Sequence, residues 1–211
     1  MFHTAAPSVA ATAGTAHRVD SNVYIGGYQI AADPNFIRRE GISRIVKLFG
    51  DTREYPGGYH RHRGVKYLII PADDDPDYDI RDGAVAAVRF IQEGIADNER
   101  ILVHCHAGIS RSATVVLLHL MINRGYDLDT AIARLKLVRS FISPNPGFME
   151  HLRATDARMK LLRAGSEKRY VAPPPVLAYA ARGAFVNALA APQPPASVWA
   201  FSDARADSTP L

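Results

Sequence analysis

The chain has 211 residues, a formal net charge of +4, a pI near 9.3 and 47% hydrophobic residues, enough for one domain of about 150 residues with a sizeable core plus tails. Its mildly basic surface suits an anionic partner, but no basic run is long enough to argue for nucleic acid. A lone cysteine, Cys105, excludes an intramolecular disulfide and fits a reducing compartment, and no apolar run approaches the length of a membrane span.

Residues 1–17 are Ala/Thr-rich, with little positive charge and no apolar centre, and read as a flexible arm rather than a secretory leader. Val19 to Gly27, around Val23-Tyr24-Ile25-Gly26, reads as an edge strand ending in a Gly-Gly turn. Asp33 and Pro34 open a short helix as N-cap and first residue, and Gly41 stops it after Glu40. Ile42 to Phe49 is β-branched and alternating enough for a strand. A long polar loop, 50–64, leads to a strand from Val65 to Ile70, closed by Pro71. Asp73, Asp74, Asp75, Asp77 and Asp79 follow, and then an amphipathic helix from Ile80 to Ala96 with Val85, Val88, Ile91 and Ile95 on one face.

Asp97-Asn98-Glu99 turns the chain into Ile101-Leu102-Val103, an apolar run expected to be a buried strand. A short loop holding Gly108 follows, and Ser112 to Leu118 continues as a helix. Strand, tight loop and helix in that order aim successive backbone N–H groups and the positive end of a helix dipole at one spot, which is an anion site. Cys105 lies at its floor, where those N–H groups and Arg111 favour the thiolate, a nucleophile. Arg111 has a planar fork that holds two phosphate oxygens at once. A nucleophile under a phosphate cradle points to phosphoryl transfer to sulfur.

Ala113 to Asn123 is apolar nearly all round, as a helix buried against a sheet must be, with Gly125 as its cap. His119 within it reads as a satisfied core histidine, since no second His, Cys or Asp lies at metal spacing. Another helix runs from Asp127 to about Arg139, and a last one over residues 147–164. Residues 165–211 form an Ala/Pro-rich tail that reads as disordered or partly helical at Leu177–Ala190; Trp199 and Phe201 make it a candidate docking segment.

His104-Cys105-x5-Arg111-Ser112 resembles the signature of the cysteine-dependent protein tyrosine phosphatases, and its filling, His-Ala-Gly-Ile-Ser-Arg-Ser, looks like the dual-specificity branch. The segment from Asn22 to Phe49 is similar to the same branch. So is Arg139 to Leu152, which resembles an R-P-x-I-x-P-N-x-G-F segment with Ser140 in place of the proline. The resemblance covers roughly residues 18 to 164 and implies an α/β fold, a central, mostly parallel sheet with helices on both faces, as one domain plus flexible tails. The strand and helix alternation independently suggests the same architecture.

The resemblance further implies that Asp74 is the general acid and base, with Phe90-Ile91 setting the register and Asp73 as the alternative. It assigns phosphate binding to His106, Ala107, Gly108, Ile109, Ser110 and Arg111. Ser112 would donate a hydrogen bond to the departing sulfur, His104 would orient the loop from behind, and Asn145 would brace it. No metal or cofactor is called for. The expected reaction is hydrolysis of phosphotyrosine and phosphoserine or phosphothreonine in a phosphorylated protein through a phosphocysteine, in the cytoplasm or nucleus and away from membranes. Arg53, Arg61 and Arg63, on the loop expected to border the crevice, would attract acidic or phosphorylated substrate. Within the same chemistry an RNA 5′-triphosphatase or a phosphoinositide phosphatase is the alternative, and outside it a non-catalytic phosphoprotein-binding module.

Overall fold

Runs with a period of two alternate with helical stretches along this chain, and a largely parallel sheet with helical crossovers follows from that alternation. The computed structural model describes residues 13–50 and 62–167. These lie in the first of two units into which the chain divides, Met1–Tyr170 and Val171–Leu211. The docking expectation for Trp199 and Phe201 lies outside the described residues, as do Arg53 and Arg61. Strands β1 (Ala16–Arg18), β2 (Val23–Gly26), β3 (Ile42–Leu48), β4 (Lys66–Ile70) and β5 (Arg100–His104) form one sheet in the order β1-β2-β5-β3-β4. All pairs are parallel except β1 with β2. The helices are α1 (Tyr28–Ala32), α2 (Pro34–Glu40), α3 (Arg81–Ala96), α4 (Arg111–Arg124), α5 (Leu128–Val138) and α6 (Pro146–Glu167).

Alternation along the central strand divides the core in two. Ile101 and Val103 of β5 enter the larger cluster, which α3, α4, α5 and α6 cover through Val88, Ile91, Leu117, Leu135 and Phe148. Leu102 enters the smaller one, covered by α1 and α2 through Ala31, Phe36 and Ile37. In β3 the same alternation puts Val46 and Leu48 on one side and Ile45 on the other. A register shift between Ile42 and Arg44 then brings Ile42 to the face of Ile45, where strict alternation would have turned it away. α4 is buried from Ser112 to Met121, as its apolar circumference required. Each of its fully buried Leu or Val side chains contributes roughly 1.5–3 kcal/mol of transfer free energy.

Four expectations need correction. The segment expected to be a flexible arm is ordered from Ala13: that residue is fully buried, and Ala16 and His17 already pair with Gly26 and Ile25. The strand expected over Val19 to Gly27 is broken, because Asp20 Oδ1 accepts from the backbone N–H of Asn22 and Val23, both at 2.9 Å, and turns the chain back. β1 therefore takes the sheet edge and β2 is interior. On α3 the packed face runs through Ala84, Ala87, Val88, Ile91 and Gly94, leaving Val85 44% exposed. Small residues, which weigh little in a hydrophobic pattern, set that face because they allow close approach. Finally, α6 continues to Glu167, past the expected start of the tail. The helix α1, only five residues long, was too short for its period to register.

Two buried polar groups explain themselves. His119 Nε2 lies 3.0 Å from Asp20 Oδ2 and its Nδ1 3.0 Å from the Asn123 side-chain amide, so it is the satisfied core histidine expected. Arg44 crosses from β3 to Glu93, Asp97 and Glu99 at the far end of α3. No helix among the described residues is long and apolar enough to cross a membrane.

Candidate active site

The carboxyl ends of β2, β5, β3 and β4 lie on one edge of the sheet, where parallel α/β folds place their crevices. The loop from Cys105 to Ser110 leaves β5 there and enters α4 at Arg111. Each of its carbonyl groups has a protein partner. Cys105 O faces His104 Nδ1 at 3.4 Å, and His106 O accepts from Tyr28 N at 3.0 Å. The Arg139 guanidinium donates to Ala107 O at 2.9 Å and to Gly108 O at 2.7 Å. Ser143 N donates to Ile109 O at 2.9 Å, and Thr114 donates to Ser110 O from both its amide and its hydroxyl. Because a peptide's N–H points opposite its C=O, carbonyls bound to the surrounding protein turn the amides toward the loop's interior. One such amide is resolved directly: Gly108 N donates to Cys105 Sγ at 3.3 Å. Gly108 has φ +72, and a Cβ there would lie 2.6 Å from Gly26 O, so the turn has neither the conformation nor the room for a side chain.

Cys105 is 1% exposed, yet it lines a cavity of about 420 Å³ together with Arg111, Asp74, His106, Ile109 and Asn145. The thiol is thus a floor with one open side. Ser112 Oγ sits 3.3 Å from the sulfur on the helix side. Arg111 is held to the segment that follows β4 by an Nη1 bond to Ala72 O at 3.0 Å. Among the described residues no hydrogen-bond partner reaches its buried Nε, whose nearest carboxylate, Asp74 Oδ2, is 3.6 Å away. A buried guanidinium N–H without an acceptor at the wall of a cavity is a donor waiting for an oxyanion.

Asp74 stands at the rim. Its Oδ1 accepts from Ser110 Oγ at 2.5 Å and from Asn145 Nδ2 at 3.0 Å. Ser110 Oγ in turn accepts from Asn145 N at 3.1 Å, and Asn145 Oδ1 accepts from Phe148 N at 2.9 Å, capping the first turn of α6. The Asp74 loop, the Cys105–Ser110 loop and α6 are thereby one hydrogen-bonded unit. Of the expected site residues, Cys105 to Ser112, Asp74 and Asn145 all converge here. Asp73 is absent from the cavity wall, and Arg63 is exposed and absent from it too. His104 is fully buried behind the loop, edge-on to Phe49 at 5.5 Å; burial, with Lys47 adding to it, lowers its pKa to about 3, so it is neutral near pH 7.

Sequence reasoning missed several members. Arg139 was read only as part of a motif, although it is fully buried and holds two loop carbonyls. On its far side Thr15 O, Thr15 Oγ1 and His17 Nδ1 accept from Nη1, so the supposed arm supports the loop through this arginine. Burial lowers the Arg139 pKa to about 10, with the charge of Cys105 opposing, and it stays cationic at neutral pH. Tyr28 stacks on the His106 ring at 4.8 Å and 26°. Ser110, expected to bind phosphate through its amide, also uses its hydroxyl to hold Asp74. None of these partners leaves a local periodicity.

Comparison with known proteins identifies the family. The model of the dual specificity phosphatase catalytic domain matches residues 23–158. Bovine dual specificity protein phosphatase 26 is 37% identical over 147 residues, which are 69% of either chain. Rat dual specificity protein phosphatase 12 is 31% identical over 150 residues, 71% of this chain and 44% of that one. Among solved structures, human DUSP28 superposes with a TM-score of 0.63 at 28% identity, covering 69% of this chain and 95% of that one. A mouse putative dual specificity phosphatase complexed with zinc tungstate gives 0.63 at 30% identity, covering 70% and 90%. The chain belongs to the dual specificity phosphatase family. It is a cysteine-dependent protein phosphatase, a hydrolase of phosphorylated proteins, and the RNA and phosphoinositide alternatives are not favoured.

Proposed function

We propose that Cys105 is the nucleophile, Asp74 the general acid and base, and Arg111 with the loop amides from His106 to Arg111 the phosphate cradle. The observation that carries this reading is Arg111 at the wall of the cavity floored by Cys105, its buried Nε without a hydrogen-bond acceptor among the described residues. In the first step Sγ attacks phosphorus as the phosphorus–oxygen bond to the leaving group breaks. Asp74 passes its proton to that departing oxygen, leaving a phosphocysteine. In the second, Asp74 takes a proton from water as the water oxygen attacks phosphorus. The sulfur–phosphorus bond then breaks, Ser112 donating toward the departing sulfur, and inorganic phosphate leaves. The cradle stabilises the equatorial oxygens in both steps, a term often worth several kcal/mol. The related mouse phosphatase is complexed with zinc tungstate, and a tetrahedral oxyanion on that protein supports an oxyanion cradle in this one.

His104 and Asn145 are assigned to loop and acid positioning. Loop positions His106, Ala107 and Ile109 offer no lysine for additional phosphates, which favours a protein over a polyanionic lipid. We assign the catalytic unit to residues 13–167, wider at both ends than the 18–164 of the motif match. A nucleophile with no second thiol to rescue it from oxidation suits the cytoplasm or nucleus. Recruitment of a partner by Trp199 and Phe201 is the outermost part of the proposal, to be tested by comparing capture with and without residues 165–211.

The deciding experiment measures kcat/KM for Cys105→Ser and Asp74→Asn on a phosphotyrosine peptide and on an activated aryl phosphate. Cys105→Ser should abolish both activities. Asp74→Asn should lose about 100-fold on the peptide and far less on the activated ester, whose oxygen departs without a proton. Equal losses on the two substrates would remove Asp74 from its role. A Cys105→Ser protein that binds phosphopeptide beside a wild type that turns none over would indicate a binding module.

A further inference from the structure

The loop that carries Asp74 rests on the first turn of α6, and at one point backbone meets backbone. A Cβ on Gly147 would lie 2.8 Å from the Pro76 carbonyl carbon and 3.1 Å from its Cα, with the carbonyl oxygen closer still. All three atoms are main chain, so no rotamer change relieves the collision. The conformation of Gly147 does not call for glycine: its φ is not among the positive ones, and the position lies inside a helix that would take alanine readily. Only the approach of the acid loop excludes a side chain there.

We propose that Gly147 is a positioning residue for the general acid, the seat on which Pro76 rests and which sets the height of Asp74 over the sulfur. This rests on Asp74 being the acid. The lever is short on both sides. Pro76 lies two residues from Asp74, and Gly147 lies two from Asn145, whose Nδ2 holds Asp74 Oδ1 at 3.0 Å while its Oδ1 caps Phe148 N. With a methyl group at 147, the Pro76 carbonyl must retreat by more than about 1 Å to regain van der Waals separation. The bonds of Asp74 to Ser110 and Asn145 would not survive that movement, and a misplacement of about 1 Å costs on the order of 100-fold in a positioned reaction. There is room for the retreat: Asp75, Pro76 and Asp77 are exposed, so the loop can lift toward solvent. The loop therefore has somewhere to go without unfolding α6.

The test compares full-length wild type, Gly147→Ala, Asp74→Asn and the double variant. The readout is kcat/KM on a phosphotyrosine peptide and on a series of aryl phosphates of decreasing leaving-group pKa. Gly147→Ala is expected to lose about 10- to 100-fold on the peptide and less than about threefold on the most activated ester, and to add nothing to Asp74→Asn. A uniform loss across the series, or losses that multiply in the double variant, would reduce Gly147 to a packing residue and overturn the proposal. Pro76→Gly adds no atom and leaves α6 untouched, yet loosens the seat from the loop side. It should give the same leaving-group-selective loss at about three- to tenfold. A Pro76→Gly enzyme with the wild-type ratio between substrates overturns the proposal whether or not Gly147→Ala folds. If Asp74→Asn itself shows no selectivity, the acid assignment fails; if Asp74→Asn is selective and Gly147→Ala is not, only the seat fails.

Discussion

Replacing Arg139 with methionine keeps a long unbranched stem in the core and deletes every donor of the guanidinium. Two charge-assisted hydrogen bonds to the loop are lost, those to Gly108 O at 2.7 Å and Ala107 O at 2.9 Å, with those to Thr15 and His17 behind them. Bonds of this kind contribute roughly 1.5–3 kcal/mol each, and both loop carbonyls lose their donor. The variant no longer buries a cation, which returns part of that loss. A net destabilisation of about 3 kcal/mol is expected. Catalysis should suffer separately, because the peptides whose carbonyls Arg139 holds are those whose amides face the cavity, and Gly108 N already points at the sulfur. A loss of about 100-fold in kcat/KM on an activated aryl phosphate, ~2.7 kcal/mol, matches removal of one oriented oxyanion donor. Arg139→Lys, which keeps the charge and loses the fork, should fall between. Urea unfolding followed by far-UV circular dichroism gives the first number and steady-state kinetics the second. An Arg139→Met protein within about 0.5 kcal/mol and threefold of wild type would refute the reasoning; full activity in a destabilised variant would separate the fold from the cradle.

Two further outcomes follow from the geometry. Removing the hydroxyl 3.3 Å from the thiol in Ser112→Ala should slow breakdown of the phosphocysteine more than its formation. Stopped-flow assays should then show a stoichiometric burst of p-nitrophenol before a steady state about 10- to 100-fold slower, and a single slow phase without a burst would count against it. Stability should fall on acidification. Burial would raise the Asp20 carboxyl, but His119, the Asn22 amide and Arg124 outweigh it and hold the group well below the usual range. Burial lowers His104 from 6.5 to about 3. Both folded-state values lie below their unfolded ones, so the unfolded chain binds more protons. Stability is fully present above about pH 6.5, declines first through His104, then also through Asp20 below about pH 4, at roughly 1.4 kcal/mol per pH unit for each proton. Urea midpoints unchanged between pH 7 and pH 4 would contradict the burial of neutral His104, and His104→Gln should flatten the upper part of the decline.

The nucleophile and its arginine were legible because their relation is local: a strand, a tight loop and a helix within ten residues bring Cys105 under Arg111 whatever surrounds them. The parallel sheet was legible for a similar reason, since side-chain alternation and helical period are properties of neighbours. Asp74 was legible only through likeness to a family, since any of five clustered aspartates has the chemistry; in the fold it differs from Asp73 in meeting Ser110 and Asn145 from other parts of the chain at the cavity wall. Arg139 and Gly147 were legible only as the R and the G of the segment that resembles the family, with no role attached, and Thr15 and His17 not at all. Arg139 binds across 31 residues to Gly108 and across 124 to Thr15. A hydrogen-bond partner drawn from another element imposes no pattern on its own neighbours, so what a buried arginine at a helix end or a glycine after a proline touches is not written beside it. Motif and periodicity settle which groups can react and in what frame; the carbonyls' partners, and so the direction of the amides that face the phosphate, are decided only when distant strands and helices close around the loop.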